Sequence, residues 1–118
     1  MKLVLCIAAV LASLPGMAAA PHPFHLTIAP RKVGEVCMAL NAGDTLVWRF
    51  KASASTEFNL HHHVGDQVLM PVKRKAAAQD AGEHAIDQRN DWCLMWTAPP
   101  GQRLTVNGQW WMRRPGAK

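Results

Sequence analysis

Between Asp44 and Lys51 the chain alternates: Leu46, Trp48 and Phe50 form one row, with Val47, Arg49 and Lys51 between them. A strand sends successive side chains to opposite faces, so this segment predicts a β-strand with one face on a core and the other largely wet. Val36, Met38 and Leu40 alternate in the same way, with Cys37 pointing to the other side. In DWCLMWT, Trp92, Leu94 and Trp96 make one row, and Cys93 and Met95 make the other. Leu104, Val106 and Trp110 complete the apolar set. Turn signals recur between these segments, at Pro30, Gly34, Asn41 to Asp44, Gly65-Asp66, Gly82, Pro99-Pro100-Gly101 and Asn107-Gly108. KASASTE, around Ser53 and Ser55, also reads as a turn, and only Lys75 to Ala81 offers a helical period. Short strands with such punctuation predict an all-β fold, an antiparallel β-sandwich of about seven to eight short strands.

The ends set the compartment. MKLVLCIAAVLASLPGMAAA carries one lysine, an apolar run from Leu3 to Leu14, a Pro15-Gly16 break and small residues. This is the pattern of a secretory signal peptide over residues 1–20, cleaved after Ala18 or Ala20, because the apolar run is too short to span a bilayer. No second long apolar segment follows. The mature chain of roughly 98 residues is then an exported domain with one core. Residues 21–30 are read as an N-terminal arm or first strand, 31–114 as the β-domain and 115–118 as a tail. Cys6 leaves with the leader, and Cys37 and Cys93 remain as an even pair in an oxidising compartment. Lacking CxxC spacing, they are read as a structural disulfide.

Charge narrows the choice of partners. Once Lys2 is removed, 12 Lys and Arg stand against 8 Asp and Glu, in scattered groups such as Arg31-Lys32, Lys73-Arg74-Lys75 and Arg113-Arg114. A nucleic-acid surface needs a denser basic stripe interleaved with aromatics, so no nucleic-acid partner is expected. The basic groups read as solvated loop charge.

The order Cys37, AGDTLVWRF, STEFNLHHH, AGEHAID and DWCLMWTAPPGQRLTVNGQW resembles the GOLD (Golgi dynamics) domain, a small β-sandwich of cargo-receptor and lipid-transfer-type proteins. In that family a Gly-Asp-like turn, here Gly43-Asp44, leads into a strand with an aromatic-x-Phe motif, here Trp48-Arg-Phe50. The resemblance implies a sandwich fold, a disposition to bind partners, and a pairing of Cys37 with Cys93. The chain departs from the eukaryotic members in its histidine cluster and its lack of a transmembrane tail.

The histidines are the distinctive chemistry. His61 and His63 lie two apart in a strand and so share a face, with His62 turned the other way alongside Phe58 and Leu60. A two-residue turn at Gly65-Asp66 pairs Val64 with Gln67, His63 with Val68 and His61 with Met70. On that register His61, His63 and Met70 form one row. Two imidazoles and a thioether suit copper better than zinc or calcium. The same triplet equally fits a strand with no ligand, its rings solvated or bonded to neighbouring backbone. His22 and His25 read as mobile-tail residues, since Pro21 lacks the N–H that an amino-terminal copper motif needs. Trp48, Trp92 and Trp96 read as core. Trp110 and Trp111 are adjacent and cannot share a face, so one is expected to be exposed and to mark a contact surface.

Enzyme signatures are missing. The sequence contains no G-x-S-x-G elbow, P-loop or HExxH, and the mature chain has only two serines, Ser53 and Ser55. Two functions lead, and a pH-sensing or structural envelope protein whose histidine row titrates near neutrality is a third. Of the leading two, one is a periplasmic, non-enzymatic binding module holding copper through His61, His63 and Met70. The other is an envelope protein-interaction domain without metal that uses exposed Trp and basic loops.

Overall fold

The computed structural model describes residues 20–115. The signal peptide and most of the C-terminal tail expected from the sequence fall outside that range. Six antiparallel strands follow in order: β1 (His22–Ile28), β2 (Val33–Leu40), β3 (Thr45–Val64), β4 (Gln67–Ala85), β5 (Asn90–Thr97) and β6 (Leu104–Arg113). They form one curled sheet in the order β1-β6-β3-β5-β2, with β4 on the other side of β3. No helix of the described residues is long and apolar enough to cross a membrane.

The strand count is six rather than seven to eight because β3 and β4 run for 20 and 19 residues. KASASTE is not a turn but the middle of β3, and Lys75 to Ala81 is strand, not helix. Thr45 to Ala52 of β3 pair with β6, whereas Glu57 to His62 pair with β5, and β4 accompanies both halves. At the hand-over the β3–β4 register shifts between Lys51 and Phe58. The small polar residues there receive groups released by the departing strands: Ser53 Oγ accepts the Thr105 N–H at 2.9 Å, and the Thr56 hydroxyl donates to the Thr97 carbonyl. A buried backbone group without a partner is costly, so these hydroxyls let the ribbon bend without breaking.

The core lies inside the curl. Trp48, Trp92 and Trp96 are buried with Leu46, Phe50, Phe58, Leu60, Leu94, Leu104 and Val106, as their alternation requires. Trp96 joins both halves, its ring 5.3 Å from Phe24 of β1, 5.2 Å from Phe50 and 5.5 Å from Phe58. Trp48 Nε1 donates to Asp80 Oδ2 at 3.1 Å. Its indole fills the space over Gly82, where an added Cβ would lie 2.6 Å from Cζ2. His22 and His25, read above as mobile, belong to β1, which pairs along β6 from His22↔Trp110 to Ile28↔Leu104. The burial of Ile28 and the packing of Phe24 and Leu26 against the core hold this strand in place.

The disulfide links Cys37 and Cys93, directly opposed on β2 and β5 with Cα atoms 4.1 Å apart. It lies on the outer face, behind the Met38, Trp92 and Leu94 side chains.

Candidate functional site

The two halves of the β3–β4 ribbon end very differently. Past His62, the last β3 residue paired to β5, the hairpin runs on with only its own two strands. Gly65 takes a left-handed φ of 58°, as the first residue of a two-residue Gly-X turn does, and Val64 pairs with Gln67 and His63 with Val68, the register expected from the sequence. This tip carries four large apolar side chains in water: Val64, Val68, Leu69 and Met70, each 40–46% exposed. Val33 is the other large apolar residue exposed to that degree among the described residues, and it lies apart on β2.

The expected His61–Met70 pairing does not form. Leu60 pairs with Val72 and His62 with Leu69, so β4 places both Met70 and Pro71 opposite His61 alone. Proline has no N–H to give to the ladder and is accommodated at such a bulge.

His61 and His63 do share a face, their rings 5.4 Å apart and edge to face. Their surroundings differ: His63 is exposed and His61 only 3% so. His61 Nδ1 donates to Asn59 Oδ1 at 2.8 Å, and Nε2 faces Glu35 Oε1 at 3.6 Å. Burial is the main influence on this imidazole and lowers its pKa from the usual value of 6.5; Glu35 opposes that shift, and His63 and His62 add to it. Glu35, on β2, was not singled out from the sequence. It reaches His61 because Cys37, Cys93 and His61 stand in one cross-strand row, and Glu35 is two residues before Cys37 on the same face.

His62 serves the core. Its ring lies 3.9 Å from Trp92, and the Gln88 amide donates to its Nε2 at 2.9 Å. The Gln88 carbonyl in turn accepts from Trp92 Nε1. His84 comes within 5.8 Å of the same indole, so two of the six histidines flank one buried tryptophan.

Trp110 and Trp111 are both half-buried on opposite faces. Trp110 packs against the core and stacks on His22 at 4.1 Å, while Arg49 sits 5.9 Å over the Trp111 ring. Beside Arg49 an open groove of about 730 Å³ runs across β3, β4 and β6, lined by Lys51, Gln79, Asp80, Asn107 and Gln109 among others. His61, His62 and His63 do not line it, whereas Asn107 on its wall is hydrogen-bonded to the His25 ring. Asp80 on its wall is already engaged by Trp48 and lies 3.8 Å from Arg74.

No family model matches the chain, and no curated protein matches it. Among solved structures, the fold is similar to that of Aeromonas hydrophila PliG, a periplasmic lysozyme inhibitor of g-type lysozyme. The TM-score is 0.60 at 12% sequence identity, over 80% of this chain and 88% of that one. At that identity the likeness is one of fold.

Proposed function

We propose that the mature chain is an exported, non-enzymatic protein-binding module that inhibits a lysozyme by seating the β3–β4 hairpin tip in the enzyme's substrate cleft. The fold shared with a periplasmic inhibitor of g-type lysozyme supports the partner class. The tip supplies the surface, a narrow convex end with Val64, Val68, Leu69 and Met70 exposed around a tight turn. Desolvated apolar anchors at the centre of a contact carry most of the binding energy, and a two-stranded ribbon presents them with little ordering cost. Glycosidase clefts carry paired carboxylates, and the excess of Lys and Arg here, including exposed Lys73 and Lys75 on β4, complements that charge. The signal-like leader and the disulfide suit an enzyme met outside the cytoplasm.

The test is a turbidity assay of cell-wall lysis by purified g-type lysozyme with the mature protein added. Dose-dependent inhibition is expected, and undiminished lysis at saturating protein excludes this partner.

Copper held by His61, His63 and Met70 is the second reading: the two rings lie 5.4 Å apart, but His61 Nδ1 is bonded to Asn59 and Met70 does not pair with His61. It predicts that copper titration of the oxidised protein changes on His61→Ala/His63→Ala substitution. Identical titrations would remove it.

A further inference from the structure

The Glu35–His61 contact places two acceptors face to face. Asn59 Oδ1 accepts the Nδ1 proton of His61, so in the neutral ring the Nε2 lone pair points at the Glu35 carboxylate, 3.6 Å away. Such a gap favours a cation between them. The third wall is sulfur: Cys93 Sγ, His61 nitrogen and a Glu35 oxygen all lie within 4.8 Å of one another, and Cys37 Sγ is 3.7 Å from the other Glu35 oxygen. Ligand atoms about 2.1 Å from a tetrahedral zinc ion are about 3.4 Å apart, and edges that include a thiolate at about 2.3 Å are slightly longer. The His61–Glu35 and Cys37–Glu35 separations, each to a different carboxylate oxygen, are close to such edges, so a small rotation of the Glu35 carboxylate brings one oxygen to both.

We propose that reduction of the Cys37–Cys93 disulfide opens a tetrahedral zinc site formed by Cys37, Cys93, His61 and Glu35, independent of the hairpin tip. Three adjacent strands supply the ligands at fixed register, with Cys37, Cys93 and His61 in one row and Glu35 beside them. Asn59 orients the imidazole through its far nitrogen, the arrangement that holds metal-bound histidines in the required tautomer. Cys37 is exposed, so an external thiolate can reach it. The exchange is balanced: a dithiol reductant gives two electrons and two protons, becoming a disulfide as Cys37 and Cys93 become thiols. Zinc then displaces both thiol protons, which pass to solvent. Glu35 binds as carboxylate and His61 as the neutral ring. The oxidised protein has no thiolate to offer and leaves zinc unbound, so the face changes ligand with redox state.

The test is anaerobic zinc titration of the mature protein, oxidised or reduced by a phosphine, against a chromogenic chelator, with cobalt(II) as spectroscopic probe. The reduced protein is expected to bind one equivalent, with thiolate-to-cobalt charge-transfer absorption, and the oxidised protein none. Glu35→Gln and His61→Ala should each weaken binding to the reduced form. Asn59→Ala should weaken it by about 10–100-fold. If reduction loosens the fold, zinc should restore the native tryptophan emission. Any of three results would overturn the site: reduced wild type binding no tighter than Cys37→Ser/Cys93→Ser, affinity unchanged by both Glu35→Gln and His61→Ala, or a reduced chain that stays unfolded at saturating zinc.

Discussion

Truncating Trp96 to alanine is expected to destabilise the protein by about 3–5 kcal/mol, the range for removing a large aromatic side chain from a packed core. Trp96 is 0% exposed and is the one ring that touches Phe24 of β1 and both Phe50 and Phe58 of β3. Its loss opens a cavity between the half of the sheet built on β6 and the half built on β5, which are otherwise joined through the β3–β4 ribbon. Urea denaturation followed by far-UV circular dichroism checks this. A loss below about 1 kcal/mol would mean that the halves hold together by their hydrogen bonds alone.

Replacing both disulfide cysteines with serine should cost about 4 kcal/mol, the chain-entropy value for a link between residues 56 apart. That is a large fraction of the roughly 5–15 kcal/mol that holds a domain folded. The cross-link acts mainly by restricting the unfolded chain, so the denaturant slope of the variant should rise as its unfolded state expands, while the native spectrum is unchanged. An unaltered midpoint in urea would contradict this.

The sequence was most legible where one face is buried. Leu46, Trp48 and Phe50, and Trp92, Leu94 and Trp96, alternate because a slip of one residue would turn each row into water, and all six are buried as read. The Gly65-Asp66 turn gave the hairpin register through a local rule, and Val64↔Gln67 and His63↔Val68 follow it. Further along β4 that rule fails, because the bulge at Met70 and Pro71 sets two β4 residues opposite His61. The strand count failed for a related reason. Most of β4 is exposed on both faces, so its small and charged residues show no period, and the polar middle of β3 resembles a turn until the strands it serves are in place.

The surroundings of the histidines were legible only in part. Periodicity placed His61 and His63 together and turned His62 toward the apolar row, as the rings lie. It carried no information about which strand comes alongside β3. The pairing of β5 with both β3 and β2 brings Glu35 and the disulfide to His61, from residues 24 and more away in sequence. The exposed apolar tip was likewise in view as a strand pair, but its projection beyond β5 depends on where the β3–β5 ladder stops.

The contact proposed here is between this tip and a lysozyme. Its most direct test is the affinity of g-type lysozyme for the oxidised mature protein compared with a Val68→Asp/Leu69→Asp variant, measured by calorimetry. Both positions are 40% or more exposed, so the variant should fold as the wild type does. Binding is expected to weaken by about 30-fold or more, the equivalent of about 2 kcal/mol for anchor residues. Equal affinity for the two proteins would place the contact elsewhere and contradict the account.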